Sequence, residues 1–511
     1  MNLFRVNSKG FTIVELIIVV AVIAILAALV AVGYGGLQKS ARDKSLLSDV
    51  ESVESEITRY AVKNNGIYDA NLNWDSSAGQ NSNISFLPSS GNVIRVYALG
   101  DSYCIKAYNP RANNANIQNA VTAGDCQVRF ASAIGTGTNS TCALSYDENV
   151  YCWGYGPTGN LGNGSSTSSN VPMAINTSGV LSGKTIKAAS AAWNRTCAIA
   201  SDNNAYCWGT GTGGELGNGG SANSNMPVAV NTSGVLSGKT IKAISAGGNN
   251  TACVIASDNL AYCWGVNTSG QLGNGNNTNS NVPVAVSTSG VLSGKTIKSI
   301  SVGPYSTCVI ASDNNAYCWG LNGLGQLGNG STTDSNIPVA VSTSGVLAGK
   351  TIKSISAGWN TTCAIASDDK AYCWGSGTNG LLGNGGTSLS NVPVAVSTSG
   401  VLAGKTVTTI SAGNNGSSCL IASDRNVYCW GANTNGQLGN GSASNSSVPV
   451  AVNTTGVMPG GNARTIAVGG VVCVTGFDKK TYCWGPGSSG QLGNAGNTSS
   501  NVPVLVSTPS V

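Results

Sequence analysis

The 511-residue chain contains no histidine, and only 9% of its residues are charged. Without histidine the commonest general base and any Ser-His-Asp triad are excluded. A formal net charge of +5, spread thinly, leaves no basic footprint of the kind that binds nucleic acid. No glycine-rich loop follows a strand and opens a helix, so the 69 glycines read as turn residues and not as phosphate cradles. Carboxylates are scarce beyond residue 135. Most of them occupy one repeated place (Asp147, Asp202, Asp258, Asp313, Asp368, Asp424, Asp478), where an aspartate in a tight turn caps its own backbone. Calcium binding or acid catalysis there is the less favoured reading. No catalytic constellation emerges, and no cofactor is expected.

The chain does have repetition. Tyr-Cys-Trp-Gly recurs seven times, with Trp153, Trp208, Trp264, Trp319, Trp374, Trp430 and Trp484 spaced 54 to 56 residues apart. The unit is plainest at 185–238. TIKAAS and TCAIA are β-rich, SDNN is turn chemistry, AYCWG resumes the strand, and a Gly/Asn/Ser loop leads to a fourth strand near VPVAV. A fixed period of this size signals stacked units that cannot bury their apolar faces alone. Four short strands repeated seven times suit a β-propeller. A solenoid is the alternative, but it needs atypical end repeats, and the end units here look like the others. The recurrent tryptophans are expected to be core plates between blades. A lysine pair also recurs (Lys184 and Lys187, Lys239 and Lys242, Lys295 and Lys298, Lys350 and Lys353). It reads as a solvated strand edge, with a ring attracting anionic polymers as the alternative.

Fourteen of the 16 cysteines form seven pairs ten positions apart: Cys142 with Cys152, Cys197 with Cys207, Cys253 with Cys263, Cys308 with Cys318, Cys363 with Cys373, Cys419 with Cys429, and Cys473 with Cys483. A hairpin folded about Asp202 sets Cys197 opposite Cys207, close to disulfide geometry. Each closed loop would stabilise its blade by about 2–3 kcal/mol in the chain-entropy model. Zinc is the rival, but it wants four ligands and closer cysteines. Disulfides at this density place the repeats outside the cytosol. Cys104 and Cys126, the only other cysteines, are assigned to each other.

The run AYCWGxNxxGQLGNG, clearest at 261–275, 316–330 and 482–494, resembles the regulator of chromosome condensation repeat. The resemblance covers roughly 127–511 and implies a seven-bladed propeller. Where that family often carries His-Thr before the first hairpin strand, this chain has Thr-Cys or a variant. The family's chromatin-linked members are guanine nucleotide exchange factors that act through protruding loops. The even spacing here leaves no room for such a wedge, so the fold is carried over and the activity is not.

The first ten residues are basic through Arg5 and Lys9, and Leu16 to Gln38 carries no charge. That length suffices to cross a bilayer as a helix, with the N-terminus cytoplasmic and the remainder exported. Glu15 at the head of this run is costly unless partnered. Lys9-Gly10-Phe11-Thr12-Ile13-Val14-Glu15 resembles the type IV prepilin signal. The resemblance implies cleavage after Gly10 by a prepilin peptidase, N-methylation of Phe11, and pairing of Glu15 with the N-terminus of a neighbouring pilin subunit. A plain signal anchor is the alternative. Leu46, Val50, Val53, Ile57 and Tyr60 form one helical face, with Asp43, Lys44, Asp49, Glu51, Glu54 and Glu56 opposite. The expected organisation is an α+β pilin module followed by an all-β propeller. Residues 1–10 are the leader, 11–63 a long helix, 64–126 a small β head with paired strands at 92–99 and 103–110, and 127–511 the propeller.

The repeats vary most just before the first cysteine of each pair. Trp193, Tyr305 and Trp359 stand there in otherwise polar loops, on one rim of the ring. An aromatic beside Asn and Thr can stack on a sugar and bond its hydroxyls, so these three are the candidate contact residues for a surface glycan or protein. Trp193 and Trp359 lie three blades apart, which argues against their forming a cluster. The favoured reading is a minor or tip type IV pilin, held in the cytoplasmic membrane before assembly and then displayed on a pilus at the cell surface. A pseudopilin of a secretion or DNA-uptake system and a non-filamentous surface anchor are alternatives. An envelope hydrolase, with the non-turn acid Glu215 as its first suspect, is a weaker one.

Overall fold

The computed structural model describes residues 45–508 apart from 46–47, 62, 64–73, 77–83, 85, 91, 99–102, 109–120, 125–129, 146–147, 249–250, 415 and 459–461. Gly10, Phe11, Glu15, the apolar run to Gln38, and Cys126 therefore lie outside the described residues. The chain divides into two compact units at the Cys126–Gln127 bond.

In the first unit, residues 48–61 are helical. The three-and-four spacing of Val50, Val53 and Ile57 turns these side chains onto Ile94, Val96 and Ile105, with Trp74 and Ile84 completing the core. The sheet beneath is an antiparallel meander of Trp74–Asp75, Val93–Ala98, Tyr103–Tyr108 and Val121–Gly124. Asp49 departs from the sequence pattern, which put it on the charged face. It is only 4% exposed. Its carboxylate accepts hydrogen bonds from Ser89 N (2.9 Å), Ser89 Oγ (2.8 Å) and Asn92 Nδ2 (2.7 Å). These three donors satisfy a buried charge and pin the helix to the turn before the second strand.

The second unit is a ring of seven four-stranded antiparallel sheets. Each sheet is built from contiguous chain, and its strands are called a to d from the axis outward. Blade 2 is typical: a is Ile186–Ala192, b Arg195–Ala200, c Ala205–Gly209 and d Ser224–Ala229. Blade 1 starts at Phe130 and blade 7 ends at Leu505. The a strands line the channel and are laced together. Ser190 Oγ accepts from Ala246 N at 3.0 Å, and the same bond links Ser245 to Val302, Ser301 to Ala357, Ser356 to Ala412 and Ser411 to Val468.

The repeat motif is a device for joining blades. Every motif tryptophan is fully buried, and its indole N–H donates to a carbonyl in the preceding blade's Gly-rich loop, as Trp319 does to Gln271 O at 2.8 Å. That loop's Leu-Gly-Asn-Gly folds over the same indole. A Cβ on Gly273 would lie 2.6 Å from Trp319 Nε1, so no other residue fits there. Six of the seven repeat disulfides also sit in inter-blade cores. Cys308 and Cys318 pack with Leu327 against Ala364, Tyr372 and Trp374 of the next blade. The last junction closes the ring. Trp153 of blade 1 donates to Gln491 O of blade 7 at 2.9 Å, and Ala495 N donates to Asn170 O at 2.9 Å. A solenoid would leave these groups at two open ends.

Candidate functional site: the upper face of the ring

Strand register gives the ring two faces. Arg195 stands opposite both Ala192 and Gly209, and Gly209 opposite Ser224. The end of a, the start of b, the end of c and the start of d therefore share one face, here called upper. The a–b and c–d loops lie on it. The b–c turns and the starts of the a strands lie on the lower face, so the chain enters the ring from below at Phe130.

Charge is segregated between these faces. In and beside the upper loops the only charged residues among the described ones are Arg195, Glu215 and Asp334. Arg195 and Glu215 are buried at 2% and 0% exposure. Arg195 Nη2 donates across the blade 2–3 junction to Gly247 O (3.0 Å) and Thr251 O (2.7 Å). Burial pulls its guanidinium down to about 10, against the field of Glu215. Glu215 accepts from Gly213 N at 2.6 Å and stands where blades 3, 4, 6 and 7 have Gln271, Gln326, Gln437 and Gln491. Its charge favours the buried Arg195 guanidinium through its field. Among the described residues no group of three or more Cys, Asp or Glu could hold a metal.

The lower face carries the repeated ions. Asp202 Oδ1 caps Asn204 N at 3.0 Å, which is the turn role read from sequence. Its other oxygen accepts from Tyr206 Oη at 2.6 Å and pairs with Lys184 Nζ at 2.9 Å. Blades 3, 4, 5 and 6 repeat the ion pair, through Lys239, Lys295, Lys350 and Lys405. Burial opposes ionisation of Asp202, but hydrogen bonds from Tyr206, Lys184 and Asn204 outweigh it and hold the carboxyl well below the usual range. The hydrogen bonds to Tyr206 and Asp202 raise Lys184. The first lysine of each pair is thus a hairpin clamp and not a free solvated edge. The signal was present in the sequence as Asp and Tyr four residues apart across every turn.

The seven repeat cysteine pairs are disulfides between directly opposed residues, with Cα–Cα distances of 4.0–4.1 Å. Their full burial leaves no open coordination site, so the zinc alternative falls. Cys104 lies in the third strand of the first unit, opposite Gly124, and its assigned partner is outside the described residues.

Trp193, Tyr305 and Trp359 come together. The rings of Trp193 and Trp359 are 5.7 Å apart between centroids, tilted by 46°, and Tyr305 lies 6.1 Å from Trp359. The expectation that three blades of separation keeps the tryptophans apart is overturned. In a ring of seven, blades 2 and 5 face each other across the axis, so inward-leaning side chains meet over the channel. Other loops converge there too. A Cβ on Gly248 would sit 2.8 Å from Pro304 Cγ and 3.5 Å from Asn414 Nδ2. A cavity of about 220 Å³ lies within the channel at this end, lined by Ala192, Ala246, Val302, Ala357, Ala412 and Val468 among others. The upper face therefore presents half-buried aromatics at its centre, ringed by Asn, Ser, Thr and Gly, with almost no exposed charge.

Comparison with known proteins agrees with this architecture. Residues 128–475 match the RCC1-like domain, 478–511 match the regulator of chromosome condensation (RCC1) repeat, and 5–31 match the prokaryotic N-terminal methylation motif. The ultraviolet-B receptor UVR8 of Arabidopsis thaliana is 31% identical over 318 residues, 62% of this chain and 68% of that protein. The human E3 ubiquitin-protein ligase HERC2 is 28% identical over 307 residues, which is 60% of this chain but only 6% of the ligase. Among solved structures, Prp20p of Saccharomyces cerevisiae superposes with a TM-score of 0.59 at 17% identity, covering 74% of this chain and 87% of that one; this is a likeness of fold. The chain belongs to the RCC1-like domain family, here preceded by a prokaryotic N-terminal methylation motif.

Proposed function

We propose that this is a minor or tip subunit of a type IV pilus that displays its propeller as an adhesin for neutral surface glycans. The observation that carries the ligand class is the convergence of Trp193, Tyr305 and Trp359 over the channel, on a face whose exposed groups are nearly all neutral and polar. Aromatic rings offer the apolar faces of sugars a stacking surface, and the surrounding amides and hydroxyls can bond their hydroxyl groups. Charged polymers find little to pair with there. The methylation motif at 5–31 supports a subunit that starts at N-methylated Phe11, packs through its N-terminal helix with other pilin subunits, and pairs Glu15 with a neighbour's N-terminus.

Two measurements test this. Intact mass and N-terminal sequencing of protein sheared from the cell surface should find a chain beginning at N-methylated Phe11. A chain still beginning at Met1 and confined to membranes would remove the pilus argument. A glycan array probed with the full chain should return neutral ligands that Trp359→Ala no longer binds. Binding of acidic glycans alone, or binding unaffected by Trp359→Ala, would overturn the ligand assignment.

A further inference from the structure

The c–d loops hold a second departure from repetition, at the outer part of the same face. In six blades the residue just before strand d closes the loop. It accepts a hydrogen bond from the backbone N–H two residues after the motif glycine, through Ser168, Asn223, Asn279, Asp334, Asn445 and Ser499 at 2.7–3.2 Å. In blade 5 this residue is Leu389, which cannot accept that bond and is 52% exposed. The residue facing it from the preceding blade is also exceptional. At the blade 5–6 junction the two positions are Asn379 and Asn445, whose side chains bond at 3.1 Å. At the blade 4–5 junction the same two positions are Leu324 and Leu389, and Leu324 is 36% exposed. Elsewhere the Leu324 position holds Thr158, Gly213, Ser269, Asn435 or Ser489. The blade 4–5 junction thus holds two exposed leucines where the next junction holds a bonded asparagine pair. Blades 4 and 5 also carry Tyr305 and Trp359, so the apolar notch and the aromatic centre belong to the same sector.

We propose that the Leu324–Leu389 notch is a distal subsite of this face, which takes the methyl groups of acetamido-bearing neutral sugars on a chain running outward from Trp359. This rests on the upper face being a glycan site. An acetamido methyl is small and apolar and needs no countercharge, and it is carried on an otherwise polar residue. That matches a two-leucine notch flanked by Ser390 and Asn391 on a face whose one exposed charge among the described residues of its loops is Asp334. A strongly acidic partner is disfavoured by Asp334 and by the lack of exposed lysine or arginine in these loops.

The test uses the full-length disulfide-bonded chain and two tetrasaccharides of one linkage, β-1,4-linked N-acetylglucosamine and β-1,4-linked glucose, which differ only in the acetamido groups. The wild-type chain should prefer the acetylated tetramer by roughly fivefold or more, the worth of about one or two buried methyls. The double variant Leu324→Asn with Leu389→Asn copies the blade 5–6 junction and so keeps a pairing this chain already uses. It should lose the preference and bind the two tetramers alike. Retained preference in that variant, equal wild-type binding of the two tetramers, or no binding of either overturns the subsite. Trp359→Ala separates the two levels of the argument. Weaker binding of both sugars by that variant supports the central reading, and loss of only the acetylated preference overturns it.

Discussion

Ring closure can be tested with one methyl group. Gly493 belongs to the Leu-Gly-Asn motif of blade 7 and has φ +68°. A Cβ there would lie 2.5 Å from Trp153 Nε1 and 2.8 Å from its Cδ1. In Gly493→Ala the left-handed backbone costs about 1 kcal/mol. Displacing a fully buried indole adds roughly 1–3 kcal/mol of overpacking. Breaking the Trp153–Gln491 bond leaves a buried N–H without its acceptor, which costs about 1–3 kcal/mol more. The expected loss is therefore roughly 3–7 kcal/mol. Two companions calibrate it. Gly273→Ala makes the same contact within the ring, 2.6 Å from Trp319 Nε1, whereas Gly179 (φ +78°) has nothing within 4 Å of its Cβ and should cost about 1 kcal/mol. The assay is guanidinium unfolding of the oxidised full-length chain, followed by tryptophan fluorescence. Gly493→Ala and Gly273→Ala should lower the midpoint alike, and both well beyond Gly179→Ala. If Gly273→Ala is severe while Gly493→Ala matches the Gly179 control, blade 7 does not lock onto blade 1 and the closed ring is wrong.

Three further outcomes follow from the same contacts. Glu215→Gln removes the negative field that favours the buried Arg195 guanidinium and should destabilise the propeller by about 0.5–3 kcal/mol. Arg195→Thr combined with Glu215→Gln, which copies the Thr251 and Gln271 pattern of blade 3, should recover most of that loss in a double-mutant cycle of unfolding free energies; additive losses would refute the electrostatic coupling. The Lys–Asp–Tyr clamps set a pH range. Asp202, Asp258, Asp313, Asp368 and Asp424 are depressed in the fold, so their contribution is present above an unfolded value of about 4 and is lost as pH falls through the folded value. The partner lysines and tyrosines are raised, so theirs is present below about 10 and is lost as pH rises through the folded values. Thermal melts should be flat between these limits and fall on both sides, with Tyr206→Phe shallower at the alkaline edge; a stability maximum confined to acid would contradict this. Finally, replacing Cys308 and Cys318 by serine should cost about 2–3 kcal/mol, read as a shift in denaturant midpoint, and full reduction should cost far more than one such pair.

Much of the propeller was legible because its determinants repeat. Tyr-Cys-Trp-Gly, the ten-residue cysteine interval and the aspartate turn each recur at fixed offsets, so one hairpin register explains seven. The central site was legible only in part. Trp193, Tyr305 and Trp359 stood out as aromatics in polar loops, but sequence distance was mistaken for spatial distance, and only closure of the ring turns a three-blade interval into an approach across the axis. The clamp was half read: Asp202 was seen as a turn residue, Lys184 as a solvated edge, and Tyr206 only as part of the repeated motif. Asp49 fits the charged helical stripe by periodicity yet is buried, because Ser89 and Asn92, forty and more residues away, supply its donors. Leu324 and Leu389 carried a signal that a column-by-column comparison of the seven loops would have found. Each is the only leucine at its position, and at the next junction the same two positions are bonded asparagines.

The blade-joining chemistry and the candidate recognition chemistry use different atoms of the same loops. Junctions are made by buried indoles, backbone carbonyls and glycines with no side chain, and these groups scarcely change from blade to blade. The residues that do change, at 193, 305, 324, 359 and 389, direct exposed or half-exposed side chains at the upper face and take little part in the locks beneath. A substitution there can alter what the face binds while leaving the Trp–carbonyl and Gly–indole contacts in place. The disulfides strengthen this separation, since each holds its b–c hairpin whatever the a–b and c–d loops carry. A ring stapled in this way can tolerate an exposed leucine pair and an aromatic cluster that a more marginal fold would have to bury. That is the physical reason to seek function in the departures from the repeat and stability in the repeat itself.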